Sequence, residues 1–101
     1  MSKPSRPYRE GLLEDLQDPS EAAAYLTAAL EEEGMDVFLL ALRDVAAAHG
    51  MKRLADGAEL NRESLYRMLS EQGNPQLDSL ISILQQLGLR LSIDVEEPVP
   101  A

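Results

Sequence analysis

Glycine and proline cut this chain into helix-length pieces. Gly34, Gly50 and Gly88 each follow a run of helix-forming residues, while Asp18-Pro19 and Gly73-Asn74-Pro75 stand where new runs begin. A glycine just past a periodic run stops a helix, and a capping residue followed by proline starts one. Only 101 residues are available, so the pieces must share one core.

Each piece has a face. Asp18 suits an N-cap, Pro19 the first helical position and Glu21 the positive end of the macrodipole, which predicts a helix running to about Glu33. Ala22, Tyr25, Leu26, Ala29 and Leu30 fall on one side of it. Asp36 is expected to cap a second helix reaching His49. That helix is apolar almost all round, from Val37 and Phe38 through Leu39, Leu40, Ala41 and Leu42 to Val45 and Ala46, which implies burial against two neighbours. Two short helices are expected at 52–58 and 62–69, joined by Glu59-Leu60-Asn61. The next piece sets Leu77, Leu80, Ile81, Leu84 and Leu87 on one helical face, closed by Gly88.

The chain then changes period. Leu89, Leu91, Ile93 and Val95 alternate with Arg90, Ser92 and Asp94, the two-residue rhythm of a strand. A lone strand needs a partner for its backbone groups. The candidates are residues 8–17, the same strand of a second subunit, or another protein. Antiparallel pairing in a C2 homodimer is preferred. The expected organisation is an N-terminal arm over 1–17, one helical domain over 18–95 and a tail over 96–101. Residues 1–7 read as frayed, and Pro98 and Pro100 mark a loose end. Residues 8–17, with Leu12, Leu13 and Leu16, fit a short helix or a wrapped segment equally.

The stretch 51–70 has the layout of a helix-turn-helix. Ala55 is the small residue needed where the second helix crosses the first. Leu54, Ala58, Leu60, Leu65 and Met68 supply apolar anchors, and Asn61 caps the second helix. Arg62, Glu63, Tyr66 and Arg67 then face outward, with Lys52 at the start of the first helix. Arginine can pair with guanine, and tyrosine, asparagine and lysine reach phosphates or base edges. Plain helix packing fits the spacing equally well. The expected core is Leu39, Leu42, Val45, Leu54, Leu60, Leu65, Met68, Leu80, Leu84 and Leu87.

Charge is uneven. The formal net charge is −9. Residues 1–50 hold four basic and ten acidic side chains, and residues 71–101 hold one and five. Only 51–70, with four basic against three acidic, is not negative. The overall acidity argues against a non-specific nucleic-acid coat or a binder of anionic membrane, and leaves room for a small DNA-reading surface. Cysteine is absent, which removes disulfides and thiolate zinc sites. No leader and no membrane span are read, so a soluble cytoplasmic protein is expected.

Ala24-Tyr25-Leu26, Leu39-Leu40-Ala41-Leu42-Arg43-Asp44-Val45, Gly50-Met51-Lys52-Arg53-Leu54-Ala55, Leu60-Asn61-Arg62-Glu63-Ser64-Leu65-Tyr66-Arg67, Gly73-Asn74-Pro75 and Leu87-Gly88-Leu89-Arg90-Leu91 together resemble the addiction-module antidote proteins. These are HigA-like antitoxins with a phage-repressor, Cro-like helix-turn-helix, and the resemblance runs from Tyr8 to Val95. It implies an all-α, five-helix-type domain, here with the one C-terminal strand paired across a dimer. It also implies neutralisation of a small basic toxin of the RelE/ParE-like (HigB-like) fold and repression of the protein's own operator DNA. The DNA-facing positions fall on Lys52, Asn61, Arg62, Glu63, Tyr66 and Arg67. One position departs from the pattern: related motifs carry glycine in the turn where this chain has Glu59, and a glutamate at positive φ is strained.

An antitoxin must cover a basic surface, which gives the acidity a use. Glu31-Glu32-Glu33 ends a helix where the macrodipole disfavours negative charge, so this triplet is the candidate toxin contact. A solvated helix end explains it as well. His49 is the single histidine and is expected to interact with its helix dipole. No catalytic residue, cofactor or metal site is read. Two rival functions remain: a stand-alone prophage-type transcriptional regulator, and a protein-interaction module whose helix pair no longer binds DNA.

Overall fold

A computed structural model describes residues 8–97. The expected frayed start (1–7) and the prolines of the tail, Pro98 and Pro100, lie outside the described residues. Six helices follow in order: α1 (Tyr8–Asp15), α2 (Pro19–Glu32), α3 (Met35–His49), α4 (Met51–Ala58), α5 (Arg62–Met68) and α6 (Leu77–Gln86).

Helix α3 is the axis of the molecule. Phe38, Leu39, Ala41, Leu42, Val45 and Ala46 are all buried, with α1, α2 and α4 packed against the helix. Helix α2 starts as expected. The Asp18 carboxylate accepts from the Ser20 N–H at 3.0 Å, and Pro19 occupies the first turn. It ends at Glu33-Gly34, a connection short enough to fold α3 back along it. The cap of α3 is Gly34 rather than Asp36, which lies inside the first turn and caps nothing. Residues 8–15 settle as a helix packed on α3, with Leu12 against the core and Leu16 buried just beyond.

Leu39, Leu42, Leu54, Leu65, Leu69 and Ile83 are the largest side chains shut off from water. Of the expected core, Leu39, Leu42, Val45, Leu54, Leu65, Leu80 and Leu84 are buried, and Leu60, Met68 and Leu87 pack against them half-buried. The stripe of α6 runs through Leu80, Ile83, Leu84 and Leu87; Leu77 lies off it and is exposed. Leu30, expected on the packed face of α2, is also exposed.

The expected C-terminal strand is not there. Residues 89–97 have no strand structure, and among the described residues the fold is entirely helical, with six helices rather than five. Leu89 is the only member of the alternating set that packs on the core, held by its N–H donating to the Leu84 carbonyl at 2.8 Å. Leu91, Ile93 and Val95 are exposed. Alternation alone cannot make a strand, because the ladder needs a second backbone. The intrachain segment that was free to supply one has become α1, whose backbone hydrogen bonds are spent within the helix.

Candidate nucleic-acid interface

The interface is built from the turn outward. Helix α4 ends with Glu59 in the left-handed conformation (φ 59°, ψ 42°), the one non-glycine residue at positive φ among those described. The Glu59 N–H donates to the Asp56 carbonyl at 3.3 Å and the Leu60 N–H to the Ala55 carbonyl at 2.8 Å. This pair of bonds is a Schellman motif, with Leu60 folded back toward the core. The same motif closes α6, where the left-handed position holds Gly88 (φ 79°). The turn therefore keeps its usual shape despite Glu59, with the strain carried by that residue.

One residue later the chain starts again. Asn61 is extended (φ −83°, ψ 155°), and its side-chain oxygen accepts from the Ser64 N–H at 2.7 Å. This cap fixes where α5 begins. Leu65 and Leu69 point inward at 0% exposure, with Met68 half-buried beside them. Ala55, at 1% exposure, is the buried small residue of α4, the helix on which α5 packs. The opposite side of α5 carries Arg62, Glu63, Tyr66 and Arg67, all exposed, as are Asn61 and Lys52.

The charges on this face are only partly engaged. Lys52 Nζ pairs with Asp56 Oδ2 at 3.2 Å across one turn of α4, an exposed pair of the weak kind. Arg67 Nη2 reaches the Ser64 hydroxyl at 3.4 Å, and the Ser70 hydroxyl donates to the Arg67 carbonyl at 2.8 Å. Arg62 has no partner among the described residues. One contributor escaped the sequence reading. The Arg43 guanidinium of α3 lies 5.1 Å from the centre of the Tyr66 ring, a cation–π contact that steadies Tyr66 and adds a positive group beside it. An arginine inside a largely apolar helix was the available hint; its pairing with a ring 23 positions away was not.

Arg53 is the reverse case. Although counted in the basic 51–70 window, it lines a cavity with Leu16, Gln17, His49 and Leu87, away from α5. It acts there on His49, whose pKa is lowered by burial and by repulsion from Arg53.

The acidic triplet divides. Glu31, Glu32 and Glu33 are all exposed, but Glu32 and Glu33 line a groove between α2 and α3 while Glu31 lines a different one beside Leu30, Phe38 and residues 88–92.

Residues 11–95 match the family described as "Probable addiction module antidote protein". The chain belongs to this family. The chain is also 34% identical over 80 residues to an uncharacterized protein of Haemophilus influenzae, covering 79% of this chain and 82% of that one. No solved structure matches it. An antidote implies a cognate toxin as partner, which makes protein binding the first function to look for on its surface. No helix among the described residues is long and apolar enough to cross a membrane.

Proposed function

We propose that this antidote is the antitoxin of a type II toxin–antitoxin module that neutralises a basic, RelE/ParE-like toxin and binds its own operator DNA as a repressor. The supporting observation is the partition of α5. One side is locked to the core by Leu65 and Leu69, and the other displays Arg62, Glu63, Tyr66 and Arg67. Asn61 caps the start of α5, and Arg43 lies over the Tyr66 ring. A rigid short helix with outward arginines is what reading a major groove requires. In this reading Arg62 and Arg67 contact bases and phosphates, Lys52 a phosphate, and Asn61, Glu63 and Tyr66 complete the surface. A homodimer would place two such helices on one palindromic operator.

The test is electrophoretic shift of the antidote's own upstream DNA, titrated at several salt concentrations. A specific complex whose affinity falls steeply with salt is expected, because phosphate contacts release counterions. The absence of any shift would leave a protein-binding module without DNA binding. Co-expression with the adjacent reading frame, followed by purification through one partner, tests the toxin half. Failure to co-purify alongside intact DNA binding would leave a stand-alone regulator.

A further inference from the structure

We infer that the groove between α2 and α3 is where the antidote receives its toxin, as a helix with an apolar stripe flanked by lysine or arginine. This deepens the toxin-neutralising reading and rests on it. Ala28 and Ala29 of α2 and Val37 and Leu40 of α3 form the floor. Small side chains on α2 let a third helix approach closely, and Leu40 and Val37 offer it apolar surface. The groove holds about 270 Å³, at or below the ~300–1,000 Å³ of small-molecule pockets, so an extended partner suits it better than a metabolite.

The rim decides the partner's sign. Glu32 and Glu33 stand over this floor, and neither has a cation beside it among the described residues. Both sit at the C-terminal end of α2, where the helix dipole adds further negative potential. The third carboxylate, Asp44, is already held by Tyr25 and Arg9, which leaves the two glutamates for an incoming cation. An apolar floor with unpaired carboxylates on its rim favours a basic amphipathic helix and repels another acidic surface, including the same groove of a second copy. The groove is also separate from the α5 face: consecutive residues of α3, Asp44 and Arg43, turn to α2 and α5 respectively.

The experiment compares wild type, Glu32→Lys/Glu33→Lys, Glu31→Lys and Ala28→Arg, each co-expressed with the adjacent reading frame. Affinity for its product is measured by titration, operator binding by gel shift and the mass of the free antidote by light scattering. Lysine at the end of α2 complements the dipole, so the double variant should fold at least as well as wild type. The double variant is expected to weaken partner binding about tenfold or more through like-charge repulsion, and Ala28→Arg to weaken it by blocking the floor. Glu31→Lys makes half that charge change beside the other groove and is expected to stay within about twofold, as for a rim charge outside the contact. Operator binding should not change in any of them. Wild-type affinity in the double variant and in Ala28→Arg overturns the assignment, as does an equal loss in Glu31→Lys. A change in the mass of the free antidote would make the groove a self-interface and also overturn it. If wild type itself binds no product of that frame, the toxin reading fails first and the groove assignment falls with it.

Discussion

The Tyr25 hydroxyl donates a 2.8 Å hydrogen bond to Asp44 Oδ2, fastening α2 to α3 at the head of their groove. Arg9 of α1 takes the other carboxylate oxygen at 2.9 Å, so one side chain joins three helices. Replacing Tyr25 with phenylalanine keeps the ring and removes the bond. The expected cost is about 1 kcal/mol, the usual net value of a half-buried hydrogen bond. Chemical denaturation with an unchanged slope would measure it, and full wild-type stability would show that water replaces the hydroxyl without loss.

The same contact sets an alkaline limit. Burial, the bond to Asp44 and the repulsion of its charge push the Tyr25 pKa from 10.0 to about 12. The neutral phenol is thus favoured in the folded chain. Its contribution to stability is complete below pH 10 and lost as pH rises toward about 12. A tyrosinate absorbance titration should show a late-ionising phase, and Tyr25→Phe should remove it.

Glu59→Gly should stabilise the fold. A side chain in the left-handed region costs about 1 kcal/mol relative to glycine, less the greater freedom glycine gains on unfolding. Thermal unfolding should shift upward by a few degrees, on the order of 4–8 °C per kcal/mol for a domain of this size. A lower midpoint would mean that the Glu59 side chain makes a compensating interaction in solution.

Asn61 has two separable duties. Asn61→Ala removes the cap from α5 and should cost about 1 kcal/mol. Asn61→Asp retains a capping oxygen and should preserve stability while weakening operator binding, since it sets a negative charge where a phosphate is expected. Equal operator affinity for Asn61→Asp and wild type would remove Asn61 from the DNA surface.

Arg67→Ala should weaken operator binding about tenfold and lower the salt slope by about one if the contact is to phosphate. Its side chain is exposed and, among the described residues, reaches only the Ser64 hydroxyl, so stability should change by less than about 0.5 kcal/mol. Partner binding should be unaffected. Unchanged operator affinity at fixed salt refutes the assignment.

Local signals in the chain settle the helices and their ends. Asp18-Pro19, Gly50, Asn61 and Gly88 act on backbone groups within a few positions, so their effect can be read from neighbours alone. The burial of Leu54 and Leu65 and the outward set on α5 follow from the same short-range periodicity. Three features depend on residues far apart in the chain. Whether 89–97 becomes a strand rests on a second backbone, and the intrachain candidate is helical instead. Whether a basic residue of the 51–70 window serves the α5 face rests on packing, which sends Arg53 to His49 and brings Arg43 to Tyr66. Which glutamates flank the groove rests on where α3 lies against α2, and that separates Glu32 and Glu33 from Glu31. Propensity and capping act along the chain, whereas surfaces form between segments that meet only after folding.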